Sequence, residues 1–443
     1  MKHNHVSKSS ARGKIIAARG ITYELEFGEI LPKIGSILRV ANDQHSRLMI
    51  LGYSGATKAV VLSIGGDAAL PLGSFCELYQ EQLQIPVGKS TLGRVFNSLG
   101  ETLDDSAAIK NVQTAPVEFA LAPKNAQTYS GEIIETGIKA IDFFAPFVKG
   151  RKIGIIGGAG VGKTVLVTEL MHNVSQTGAG ASFFVGIGER IREAHELYEN
   201  LKGANLLKEC VMYLGQMNES AAARSMVGPT AAAAARWWRD NQKQDVLFFV
   251  DNIYRFLQAR NELSIMLGEQ PSEGGYQPTL FTDLVRFEDS LDSNENGSIT
   301  SVQSIYIPAD DISDPAVVEI YQQLDSVIVL SRDVMERGIF PAIDLLATQS
   351  SLLTTEIVGE RHYILATQVQ AILSKYNELR NIISIIGEGE LSLNDRSDYQ
   401  KAKRLVAYFA QNLFVVQPLT GNDGEYVSRE DMLAGVEEIL AGS

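Results

Sequence analysis

The chain has 443 residues, 45% of them hydrophobic and 21% charged, with 53 acidic against 39 basic side chains and a formal net charge of −14. That length exceeds one compact core, so two or three domains are expected, and the acidic balance argues against wrapping nucleic acid, which needs clustered Lys and Arg. The two cysteines, Cys76 and Cys210, lie far apart without metal-ligand spacing, and no apolar run approaches the roughly 18 residues of a membrane helix.

The first fourteen residues, MKHNHVSKSSARGK, are basic but have no apolar core, which reads as a solvated tail rather than a secretory signal. Short apolar runs follow, punctuated by Gly, Asn and Asp, and Ile21 to Phe27 alternates apolar with polar side chains. This pattern predicts a small β-barrel over residues 1–85. Residues 86–150 read as a connection into the next domain. Gly88-Lys89-Ser90 imitates the end of a phosphate loop there, but Leu83 stands where a glycine is required and no buried strand precedes it.

Residues 151–175, RKIGIIGGAGVGKTVLVTELMHNVS, carry the strongest signal. An apolar run from Ile153 to Ile156 predicts a buried strand, and Lys163 to Val174 predicts an amphipathic helix. Between them Gly157, Gly162, Lys163 and Thr164 fit G-x-x-x-x-G-K-[ST]. Such a loop turns successive N–H groups inward at an anion, and the helix start adds its positive dipole end. The backbone of Gly158, Ala159, Gly160, Val161, Gly162, Lys163, Thr164 and Val165 is therefore expected to cradle the phosphates of ATP or ADP. Lys163 would reach the outer phosphates and the Thr164 hydroxyl would ligate Mg²⁺.

Apolar runs and helical periods alternate to about residue 351, the pattern of an α/β domain with a mostly parallel sheet spanning 86–351. Strands are expected at Ala181–Val185, Val246–Val250, Ser301–Ile307 and Ser326–Leu330. Ligands in such sheets bind beyond the carboxyl ends of the strands, so the polar residues there are weighed first. Asp251 directly follows one strand, where a carboxylate holds Mg²⁺ or caps a helix. Glu189 and Arg190 follow another: a carboxylate there can orient an attacking water and a cation can stabilise phosphoryl charge, or the two can form a surface ion pair. Arg255, one turn beyond Asp251, points at phosphate or pairs with Glu189. Residues 352–443 show helical periodicity through Val369, Ile372, Leu373 and Tyr376, which predicts a helical bundle.

Beyond the loop, the stretches GIGERIRE (186–193), GQMNE (215–219), QDVLFFVDNIYRF (244–256), GYQPTL (275–280), GSITSVQSIYIPADDISDP (297–315) and GIFPAID (338–344) give the chain a specific likeness. It resembles the catalytic β subunit of F-type ATP synthases over nearly its whole length. The resemblance implies ATP synthesis or hydrolysis at an interface with an α-type subunit in an alternating hexamer. It also implies a central γ-type shaft, Mg²⁺ as cofactor, and a membrane sector for ion transport, likened to the proton-coupled kind, that the chain meets only indirectly. The expected location is peripheral, on the cytoplasmic face of a bacterial-type membrane, with no nucleic-acid partner. Carried over by motif, Glu189 positions the attacking water, Arg190 and Arg255 contact phosphate, and Asp251 serves the metal with Thr164. A glutamine in place of Glu189 would mark the non-catalytic partner.

The chain also departs from that family. Phe340 replaces the tyrosine that stacks on adenine, and Val416 and Leu419 stand where the family has a small residue and an aromatic. The acidic lever run is reduced to Gly389-Glu390-Leu391-Ser392-Leu393-Asn394-Asp395, whereas the loop Asp310-Asp311-Ile312-Ser313-Asp314 is kept. Ser351 replaces a family arginine. These changes leave the reacting residues in place and fall on partner surfaces, as in a diverged paralogue. A related ATPase for export or motility and a non-catalytic nucleotide-binding subunit remain as alternatives, the second opposed by Glu189. A hexameric helicase is opposed by the acidic charge.

Overall fold

The computed structural model describes residues 11–28, 30–43, 45–66, 69–104, 109, 112–118, 131–158, 160–204 except 176–179, 206–272, 274–307, 313–386 and 391–442. Ala159, Asp310 to Ile312 and the Gly389-Glu390 start of the lever run lie outside these residues. Six antiparallel strands, Arg12–Arg19, Thr22–Phe27, Ile37–Val40, Arg47–Tyr53, Lys58–Gly65 and Phe75–Gln80, close into a barrel, the first pairing with the last. The alternation read in the sequence is the cause: Tyr23, Leu25 and Phe27 point into a core with Ile15, Leu38, Leu48, Ile50 and Val61, while Glu26 faces out. Each such buried side chain contributes about 1.5–3 kcal/mol of transfer free energy.

The central sheet has eight strands. Their spatial order is Gln349–Ser350, Ser326–Leu330, Lys152–Gly157, Ile299–Ile305, Val246–Asp251, Ala181–Glu189, Cys210–Gln216 and Val95–Phe96. All neighbours run parallel except the first pair. Both faces are covered, so the strands read as continuous apolar runs. Phe183, Val185 and Phe248 pack on one face against the helices Ala221–Gln242, Ile253–Leu267 and Leu280–Asp289. Phe184, Leu247 and Phe249 pack on the other, with Leu166, Leu170 and Leu197.

Two details differ from the sequence expectation. The connection 86–150 is not purely a connection, because Val95–Phe96 joins the sheet edge beside Met212 and Tyr213; two residues are too few for any periodicity to register. The strand expected at 301–307 runs two residues earlier, Ile299–Ile305, because its register against Val246–Asp251 brings Thr300, Ser301 and Gln303 inside the sheet, where polar residues dilute the apolar signal. The helical region contains the helices Glu360–Ile386, Leu393–Phe409 and Arg429–Ala441. It docks on the helix Lys139–Phe144 through Phe143, Phe144 and Phe409, whose rings lie about 5 Å apart. Buried His362 adds a 2.9 Å hydrogen bond between Nε2 and the Phe143 carbonyl.

Candidate nucleotide site

The glycine-rich loop joins the strand Lys152–Gly157 to the helix Lys163–Ser175. Gly162 has φ 95°, a left-handed conformation that penalises any side chain, and it delivers the chain into the helix. The Lys163 ammonium donates to the carbonyls of Gly157 and Gly158, the second at 2.8 Å. Val161 is buried and Thr164 and Val165 are exposed at the helix start, so the loop presents its polar groups and hides its one apolar anchor.

Three adjacent parallel strands end beside this loop. Asp251 stands opposite Gly186 on one neighbour and Ser304 on the other. Ser304 Oγ donates to Asp251 Oδ1 at 2.7 Å. Glu189 closes the strand Ala181–Glu189 and is buried. Arg255, in the first turn of the helix Ile253–Leu267, donates to Glu189 Oε1 at 2.8 Å and to the Gly188 carbonyl. Gly188 has φ 65°, and a Cβ there would stand 3.1 Å from Arg255 Cδ, so a glycine lets the arginine lie across the strand end.

The electrostatics follow from this crowding. The Glu189 carboxyl is pushed up to about 9, first by burial, then by the charge of Asp251 and a hydrogen bond with Glu193; Arg255 opposes the shift. Asp251 is also raised, by burial above all, with Ser304, Arg255 and Lys163 opposing. A buried acid and a half-buried one thus compete for too little positive charge. Such a donor set fits a hard divalent cation, with Asp251 and the exposed Thr164 hydroxyl supplying oxygen and the remaining positions left to water and phosphate.

Not every expected residue converges. The Arg190 side chain is 68% exposed and lies 3.6 Å from Glu193 on its own helix, Ile191–Gly203, facing solvent rather than the acid pair. Phe340 and Leu419 are 55% and 87% exposed, with Val416 half-buried, so the base-side residues stand on an open surface. Their segments are nonetheless adjacent: the Gln411 N–H donates to the Phe340 carbonyl at 2.8 Å. Sequence reading missed Ser304 and Glu193. Ser304 is visible only once strand register is known, because its function comes from standing opposite Asp251. Glu193 has a sequence signal, an acid one helical turn past Glu189–Arg190 in GERIRE.

An α/β core with a phosphate loop and strand-end acids, set between a β-barrel and a helical bundle, defines a P-loop nucleotide-binding protein. Residues 137–350 match the ATP synthase alpha/beta family, nucleotide-binding domain, and residues 353–422 match the C-terminal domain of V and A type ATP synthase. The chain carries that family's nucleotide-binding domain and is a rotary-ATPase subunit. ATP or ADP binding comes with the domain. The F-type resemblance drawn from motifs is carried at the level of the rotary family, since the C-terminal match is to the V and A type. Among the described residues no helix is long and apolar enough to cross a membrane.

Proposed function

We propose that the chain is a catalytic, β-type subunit that makes or hydrolyses ATP at an interface with an α-type subunit, within an alternating hexamer around a γ-type shaft. The observation that carries this reading is Glu189, a buried carboxyl group held by Arg255 beside Asp251, at the strand ends that flank the phosphate loop. A site built only to bind has no use for a second buried acid that costs stability.

In hydrolysis, water attacks the γ-phosphorus, the bond to the β–γ bridging oxygen breaks, and ADP and phosphate leave. The loop N–H groups hold the phosphate chain. Lys163 turns from the Gly158 carbonyl onto the outer phosphates, and Glu189 orients the water. Arg255 fixes Glu189 and offers its remaining N–H groups to phosphoryl oxygen. Arg190, at the exposed helix start, is available to phosphate or to a neighbouring subunit. Thr164 and Asp251 would hold Mg²⁺, which would supply charge neutralisation for the phosphates. Phe340, Val416 and Leu419 form one open wall for the base. Ion transport, by proton or another ion, belongs to a membrane sector reached through the shaft, with the chain peripheral on the cytoplasmic face.

A second reading has its own support. The altered lever run leaves room for an ATPase that drives another machine, export or motility, while the C-terminal match is to the V and A type of ATP synthase. Full-length protein purified alone and with an α-type partner separates the two. The proposal expects slow hydrolysis alone and a gain on the order of 10³-fold with the partner, because a charge-stabilising arginine supplied in trans has that effect. Full activity as a homo-oligomer would favour the second reading, and no Mg·ATP binding would sink both.

A further inference from the structure

One buried carboxylate lies outside the machinery described so far. Glu169 sits on the phosphate-loop helix Lys163–Ser175 and is fully buried. Its two oxygens accept hydrogen bonds from consecutive backbone N–H groups, Phe414 at 3.1 Å and Val415 at 3.0 Å. One helical turn further on, the His172 ring lies 5.1 Å from the Phe414 ring. The tethered residues form the short helical turn Phe414–Val416, which continues directly into Gln417–Thr420. That segment carries Val416 and Leu419, the open wall assigned to the base.

The choice of residue is informative. Burying a carboxylate is costly unless both oxygens are satisfied, and an apolar side chain of the same size would fill the space without that cost. What a carboxylate adds is direction: two acceptor oxygens facing two successive N–H groups fix the position and orientation of one turn of backbone. The other side of the wall is fixed separately. Gln411 accepts from the Lys139 N–H at 2.9 Å and donates to the Gly137 and Glu425 carbonyls, while its own N–H holds the Phe340 carbonyl. Of these two anchors, only Glu169 stands on the helix that begins at the phosphate loop.

We propose that Glu169, seconded by the His172–Phe414 ring contact, is a positioning residue that sets the base-side segment at a fixed distance from the phosphate loop, so that the loop and the wall read one nucleoside triphosphate as a unit. The inference rests on the nucleotide-site reading above. Loosening the tether detaches base recognition from phosphate recognition and leaves the phosphate loop itself intact. General packing between two parts of the chain would not make that distinction.

The test uses full-length protein and two ligands, Mg·ATP and Mg·tripolyphosphate, which keeps the phosphate chain and lacks base and sugar. Binding of each is measured by calorimetry for wild type, Glu169→Gln and His172→Ala. The glutamine keeps one acceptor and turns an NH₂ toward the second N–H, so Glu169→Gln is expected to weaken ATP about tenfold and to leave tripolyphosphate unchanged. His172→Ala removes the ring contact together with the 2.9 Å hydrogen bond between the ring Nδ1 and Asn173 Oδ1, while leaving the Glu169 carboxylate in place; it is expected to weaken ATP about threefold in the same selective sense, and it carries the test if the glutamine variant does not fold. Equal losses for both ligands, or none for either, overturn the proposal. A wild-type chain that binds neither ligand fails at the nucleotide site itself, whereas one that binds both while the variants keep its ATP-to-tripolyphosphate ratio fails at Glu169 alone.

Discussion

Glu189→Gln tests the electrostatics of the site without any partner or turnover. The carboxyl is raised from an ordinary 4.5 to about 9, with burial as the leading cause. Between those values the folded chain holds a proton that the unfolded chain has released. Wild-type stability therefore falls as pH rises across that window, with a slope of up to about 1.4 kcal/mol per pH unit. A glutamine has no such proton, so the stability of the variant relative to wild type should climb from pH 5 to pH 9. Asp251 shares the titration and water reaches the strand ends, so the climb should be on the order of 3 kcal/mol, about half the ceiling that the full shift sets. The weakened hydrogen bond from Arg255 costs the variant about 1 kcal/mol and mainly offsets the curve. Urea unfolding of both proteins without nucleotide, at one-unit steps of pH, gives the answer. Parallel pH profiles would refute the claim that Glu189 is buried beside a second acid with too little compensating charge.

Three further expectations concern single contacts. Lys163→Met should lose ATP affinity by about a hundredfold in a calorimetric titration, the scale of a charge-assisted phosphate contact, and an affinity within about threefold of wild type would take Lys163 off the phosphates. Ser304→Ala removes the hydroxyl that orients Asp251, and it should weaken Mg²⁺-dependent ATP binding about tenfold while sparing Mg²⁺-free binding; an equal effect in EDTA would remove Asp251 from the metal role. Phe340→Ala should weaken ATP about fivefold through lost stacking, with Phe340→Tyr near wild type in the same calorimetric titration; full affinity in the alanine variant would take Phe340 out of the base wall.

The phosphate loop was legible because its chemistry is local. Gly157, Gly162, Lys163 and Thr164 lie within one turn and one helix start, so spacing alone determines what they can do. Asp251 and Glu189 were legible as strand ends, because apolar runs mark where strands stop. What joins them was not. The bond from Ser304 depends on register across two strands 53 residues apart, and the anchoring of Phe414 by Glu169 spans 245 residues. Arg190 shows the opposite limit: its place beside Glu189 suggested convergence, but backbone direction at the helix start turns it outward. The barrel was readable from the alternation of Tyr23, Leu25 and Phe27, whereas the edge strand Val95–Phe96 was too short to leave any pattern.

The central claim is that this chain performs the chemistry and does not merely bind nucleotide. Its most direct test is ATP hydrolysis by the assembled complex carrying Glu189→Gln, alongside Mg·ATP affinity of the same preparation. The account predicts turnover reduced at least ~100-fold, the scale of a lost water-orienting group, with affinity kept within about threefold. Turnover equal to wild type, with ATP still bound at this site, would contradict it.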